Sequence, residues 1–211
     1  HGIRDAQESR GLGDVYKRQS SNTFAQLTEA AGRLSQNRKG ALIVVDMGSD
    51  LRPEDFLFSG VPIDAQLSSE LLLNLFAADT PLHDGAVLVK GNRIISAGVI
   101  LPLSRQGISR YGTRHLAALG ITERFDRCIC VVVSEESGTL SLANQGRLER
   151  PITSSRLLDL LKELLDPSNA SGSKSNSINS SLKTTSSNIE TKVAQSRVNL
   201  GKVNDSKESL N

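Results

Sequence analysis

The chain is poor in rings. It has no tryptophan, two tyrosines and five phenylalanines, 3% of 211 residues. Apolar residues of every kind reach 37%, which is low for a compact globule. The deficit is uneven. From Pro167 to Asn211 there is no aromatic side chain, and serine and asparagine fill 19 of 45 positions. Such a segment buries too little apolar surface to offset its ordering entropy, so 167–211 reads as a disordered tail. Cysteine is scarce as well. Cys128 and Cys130 stand two apart, on one face of an extended segment, which excludes a bridge between them and any disulfide framework. That fits a reducing compartment. No apolar run approaches 18 residues, so nothing here reads as a membrane span, and the N-terminus lacks the apolar stretch of a signal peptide. Neither sign of charge dominates. The net charge is +2, and residues 22–166 carry 15 Lys and Arg against 17 Asp and Glu. This excludes a basic nucleic-acid surface, and the tail's small positive excess is too dilute for a strong phosphate grip. Three histidines are too few for a histidine-rich hydrolase site, and neither a P-loop nor G-x-G-x-x-G occurs.

Residues 1–19 begin without methionine and show no periodicity, and the stretch from Gly11 to Gln19 resembles translated sequencing-adapter sequence. They are set aside as non-native, which leaves open what preceded Ser20, a membrane anchor included. The remainder, 22–166, has the length of one domain and can bury about 68–70% of its unfolded surface. Asn22 and Thr23 offer caps to a helix carrying Phe24, Leu27, Ala30, Ala31 and Leu34 at helical spacing, with Gly40 as its stop. Ala41–Val45 reads as a buried strand. Residues 47–66, with Pro53, Gly60 and Pro62, read mostly as loop. A second helix opens at Ser68. Ala86–Lys90 and Arg93–Ile100 read as a hairpin around Gly91-Asn92. A loop over 101–112, a helix over 113–125, strands over 128–133 and 139–143, and a closing helix over 154–165 follow. Strands and helices alternate without strict βαβ order. The expected fold is α/β, a mixed twisted β-sheet flanked by helices.

Three short segments carry chemistry. In Pro81-Leu82-His83-Asp84-Gly85-Ala86, His83 and Asp84 are metal-ligand types, and Gly85 leaves room for a phosphate to approach the backbone. The plainer alternative is a loop histidine beside a turn aspartate. Gly112-Thr113-Arg114-His115 opens a helix with a hydroxyl and two basic side chains, which suits a phosphate and equally suits an ordinary exposed helix start. Ser134-Glu135-Glu136-Ser137-Gly138 follows an apolar strand and reads as a metal-orienting or a plain polar turn. Taken together, the parts suit metal-dependent phosphoryl or nucleotidyl transfer.

The same segments, with Gly60-Val61-Pro62, Ser68-Ser69-Glu70-Leu71-Leu72 and Leu101-Pro102-Leu103-Ser104 between them, resemble the diadenylate cyclase domain family in order and spacing over about residues 24–165. The resemblance implies condensation of two ATP into cyclic di-AMP with release of two pyrophosphates. Two subunits face each other, so that each 3′-hydroxyl attacks the other α-phosphate. It implies that Asp84 binds a divalent metal, Mg²⁺ or Mn²⁺, with His83 as a further ligand. Gly85 and Ala86 lie against the nucleotide, and Leu101 meets the adenine. Thr113, Arg114 and His115 hold the phosphates, with Arg114 and His115 counted with Asp84 as catalytic, and Ser134 and Glu136 lie near the phosphates and metal. It further implies a homodimer, no nucleic-acid partner, and a cytoplasmic location, with membrane attachment only through a segment ahead of this domain. One departure stands out. The family commonly reads Arg-His-Arg, and here Leu116 takes the third position. The alternatives are therefore a nucleotide-binding sensor without turnover, if position 116 meets phosphate, or simple packing, if it faces the interior. The length of the segment before Ser134 leaves Glu135 and Glu136 interchangeable.

Overall fold

The computed structural model describes residues 21–106 and 110–165. The chain divides after Leu165, and all described residues lie on the N-terminal side of that division. The readings of 1–19 and 167–211 lie outside the described residues.

Helix α1 covers 21–36. It does not end on Gly40: Arg38 turns the chain at φ 49°, and the Lys39 amide donates to the Leu34 carbonyl at 2.9 Å. Strand β1 (Ala41–Asp46) follows, then a 3₁₀ turn at Pro53–Asp55, β2 (Val61–Gln66) and α2 (Ser69–Leu75). The Ser68 side chain accepts from the Leu71 amide and caps α2, as its sequence predicts. Then come β3 (Ala86–Lys90), β4 (Arg93–Val99), α3 (Thr113–Thr122), β5 (Cys128–Val133), β6 (Leu140–Asn144), β7 (Arg147–Ile152) and α4 (Ser154–Leu165).

The seven strands form one sheet in the order β2-β4-β3-β1-β5-β6-β7. Only β1 and β3 run parallel, with Ile43 opposite Val87; every other pairing is antiparallel. The mixed sheet is as expected. Two strands were not: β2, which reads as loop, and β7, which carries no strand pattern in the sequence. Both are edge strands.

Alternation along β1 sorts two cores. Ile43 and Val45 join Val87, Val89, Val131 and Val133 beneath Leu27 and Leu34 of α1, Leu72 of α2 and Leu157 and Leu161 of α4. Leu42 and Val44 face the other way, with Leu88, Cys128, Cys130 and Val132, against Ala117, Ala118 and Ile121 of α3. The sheet is thus sandwiched, three helices on one face and one on the other. Both cysteines are free and lie on the α3 face, and burial pushes the Cys130 thiol well above its ordinary pKa.

Candidate active site

One end of the sheet gathers the segments with chemistry. There β1 and β3 begin, β4 and β5 end, and α3 starts. Between them lies an open cleft lined by Leu42, Asp84, Gly85, Ala86, Leu101 and Thr113, together with Arg114, Val99, Ile100, Leu103 and Ala117. Six of the residues singled out from sequence therefore share one surface. Leu42, Val99 and Ala117 were not foreseen. Their signal was available: Leu42 falls on the α3 face of β1 by alternation, and Ala117 stands one helical turn beyond Thr113 and Arg114.

Gly85 lines the cleft and has a packing duty as well. A Cβ there would sit 2.6 Å from Gly98 backbone atoms of β4, so glycine is required by strand contact. The β4–α3 segment is held equally closely. A Cβ on Gly120 would meet the Pro102 carbonyl oxygen at 2.1 Å. Ser104 donates from its amide to the Leu116 carbonyl at 2.9 Å and from its hydroxyl to Glu123 at 2.6 Å. Leu116, Gly120 and Glu123 thus form one stripe of α3 that straps down the cleft wall carrying Leu101 and Leu103. The Leu116 side chain is buried, at 7% exposure, and takes no part in the cleft lining.

Asp84 is exposed at the cleft, and its carboxylate has no partner among the described residues. Beside it, the His83 ring nitrogen Nδ1 lies 2.5 Å from the Thr80 carbonyl oxygen. A carbonyl only accepts, so Nδ1 carries a proton, and in the neutral ring Nε2 keeps its lone pair. At the start of α3 no side chain caps Gly112; its carbonyl accepts from the His115 amide at 3.0 Å, and the Thr113 and Arg114 amides have no partner among the described residues. Arg114 reaches from this turn to Glu135, Nη1 to Oε2 2.7 Å.

His115, Ser134 and Glu136 do not line the cleft. His115 is buried beneath α3, its Nε2 3.2 Å from the Ser141 hydroxyl, with the Tyr111 ring 6.3 Å away. Burial, then the nearby Arg150 charge, lowers its pKa and favours the neutral ring. Ser134 is half-buried and closes the β5–β6 turn, its carbonyl accepting from the Gly138 amide at 2.9 Å. Glu136 is exposed on that turn, and the carboxylate that engages Arg114 is Glu135.

The model of the family described as DisA bacterial checkpoint controller nucleotide-binding, the DAC domain, matches residues 28–148. The chain belongs to this family. Relatives agree with the assignment. A diadenylate cyclase of Listeria monocytogenes is 41% identical over 173 residues, 77% of this chain and 62% of that protein. The cyclic di-AMP synthase CdaA of Bacillus subtilis is 37% identical over 169 residues, 76% of this chain and 61% of the relative. The chain thus spans about three-fifths of the length of these curated relatives. A double mutant of DacA from Staphylococcus aureus superposes with TM-score 0.61 at 36% identity, over 67% of this chain and 94% of that one. The DAC match runs from α1 into β7, so the cleft and all its lining residues fall inside it.

Proposed function

We propose that this DAC domain is a diadenylate cyclase, condensing two ATP into cyclic di-AMP and two pyrophosphates. The observation that carries the reading is the convergence of Asp84, Leu101, Thr113 and Arg114 on one cleft of a DAC-family chain. The adenine lies against Leu101 and Ala86. The Leu101 backbone makes no hydrogen bond among the described residues, so its amide and carbonyl are open to a base edge. The phosphates meet the α3 start, where the Thr113 hydroxyl, the unpaired Thr113 and Arg114 amides and the Arg114 guanidinium converge. Charge gathering at the α-phosphate in the transition state is offset by Arg114. Asp84 accepts the proton of the attacking 3′-hydroxyl. His115, neutral and buried, acts at a distance by fixing α3 against β6.

The residues present fit a divalent cation. His83 has the form of a metal-ligating histidine, one ring N–H donated to a carbonyl and the other nitrogen bare. Asp84 is an unpaired hard oxygen donor beside it. No group of three or more ligand side chains occurs among the described residues, which suits a Mg²⁺- or Mn²⁺-type ion completed by phosphate oxygens and water. Bound there, the ion would supply further charge stabilisation at the phosphates.

One cleft holds one nucleotide, so the reaction requires two copies face to face. The surface around the cleft supports this. The exposed large apolar side chains of the described residues, Leu57, Phe58, Val61, Ile100 and Leu103, lie on two adjoining segments at the cleft rim, with Phe58 bridged to Ile100. No helix among the described residues is long and apolar enough to cross a membrane. ATP as substrate implies action on the cytoplasmic side.

The test is purified protein with ATP and Mg²⁺ or Mn²⁺, with product read by mass spectrometry. Cyclic di-AMP that rises more steeply than linearly with protein concentration supports the reading. ATP binding without product in either metal overturns it in favour of a sensor. Asp84→Asn is expected to lower turnover about a hundredfold or more with an unchanged Tm, because the carboxylate is exposed and unpartnered. Wild-type turnover in that variant removes Asp84 from the chemistry.

A further inference from the structure

Arg114 is held from two sides. Its Nη1 lies 2.7 Å from Glu135 Oε2, and its guanidinium lies across Gly40 so closely that a Cβ there would sit 2.6 Å from Nη1 and 2.8 Å from Cζ. Gly40 is not among the residues of positive φ, so space and not backbone conformation calls for glycine. Both supports are themselves anchored. Gly40 immediately precedes β1, the strand at the centre of the sheet. Glu135 sits on the β5–β6 turn, which is closed by Ser134 and Thr139 and pinned to α1, where the Ser35 hydroxyl donates to the Gly138 carbonyl at 2.5 Å. A Cβ on Gly138 would strike the Ser35 carbonyl oxygen at 2.5 Å, so the turn rests directly on the helix end.

We propose that Glu135 and Gly40 form a cradle that fixes the Arg114 guanidinium at the cleft, which makes Glu135 a positioning residue for the arginine. This rests on the reading of the cleft as the site of ATP phosphates. An unrestrained arginine spreads over many rotamers, and each must be given up when phosphate binds. With Nη1 tied to Glu135 and one face laid on Gly40, the remaining donors stay free for phosphate oxygens in a fixed fork. The ion pair is exposed enough to contribute little to stability, with Arg114 at 26% and Glu135 at 66%. Its effect should therefore appear in nucleotide handling and not in folding.

The experiment is a double-mutant cycle on the full chain, pairing Glu135→Ala with Arg114→Ala and read two ways: Kd for a non-hydrolysable ATP analogue, and kcat/KM for cyclic di-AMP. Glu135→Ala is expected to weaken both by about tenfold to a hundredfold with Tm almost unchanged, as for a group moved by roughly an ångström. In the Arg114→Ala background the same change is expected to have no further effect. Glu135→Gln, whose amide oxygen still accepts, is expected to recover part of the loss. Gly40→Ala is expected to reproduce it, since the new methyl meets a movable side chain. A loss in Glu135→Ala that persists without Arg114, wild-type Kd in Glu135→Ala, or tighter analogue binding in that variant each overturns the proposal. Wild-type protein that binds the analogue but makes no product refutes the cyclase reading alone, and the Kd cycle then decides this one.

Discussion

Leu116 and His115 are neighbours with opposite lessons. The resemblance implies a cation at position 116, where this chain has leucine. Leu116 is 7% exposed and its carbonyl holds Ser104, so the side chain belongs to the packing that supports the cleft wall. A guanidinium placed there would lose its water. Leu116→Arg is therefore expected to destabilise the fold by several kcal/mol and to raise turnover not at all, checked by thermal melts and product assay. His115 was expected at the phosphates and lies under α3 against Ser141. Its lowered pKa, from burial first and the Arg150 charge second, means that the unfolded chain binds this proton more readily than the folded one. Stability from this group is full above the unfolded value of about 6.5 and is lost as pH falls from there through the folded value. Wild-type Tm is expected to drop over that window, and His115→Gln is expected to flatten that part of the profile.

At the scale of elements, the two strands missed from sequence are the two edges of the sheet. Central strands announce themselves: β5 is buried at every position, Cys128–Val133. β2 is exposed or half-buried throughout and contains Pro62, and β7 contains Pro151 and is exposed at four of its six positions. Proline lacks the amide that a central strand needs, so an edge is where it fits. Close approach of elements is likewise unmarked in the sequence except as glycine. Gly85 meets Gly98 between β3 and β4, and Gly120 meets the 102–104 segment. Gly120→Ala is expected to cost about 1–3 kcal/mol and, by lifting the wall that carries Leu101 and Leu103, to raise KM for ATP more than it lowers kcat. A variant with lowered Tm and unchanged KM would show that the strap does not shape the nucleotide site.

At the scale of the whole molecule, the arrangement places an open cleft, mostly apolar with Asp84, Thr113 and Arg114 as its polar groups, and an apolar rim on the same end of the sheet. Leu103 is 52% exposed and Phe58 57%, an unfavourable state for a surface that meets only water. If that rim seats a second copy, Phe58→Asp and Leu103→Asp are expected to abolish the steep dependence of product on protein concentration. Kd for a single ATP should be nearly unchanged in Phe58→Asp, because Phe58 lies outside the cleft lining. Analytical ultracentrifugation with ATP present reads the assembly directly, and wild-type association in both variants would move the dimer surface elsewhere.

The parts whose signal is local were legible along the chain. Alternation and helical spacing marked the central strands and all four helices, and the short runs around Asp84 and Arg114 marked the family and most of the cleft. These depend on near neighbours along the chain, and burial on a known period is a local pattern. Tertiary structure alone decided which of Glu135 and Glu136 meets Arg114, why position 40 is glycine, and that His115 turns inward. Each of those contacts joins segments 21 or more positions apart, from Arg114 to Glu135, to Gly40 or from His115 to Ser141. Only the register of the folded sheet sets such distances, and no spacing along the chain encodes them.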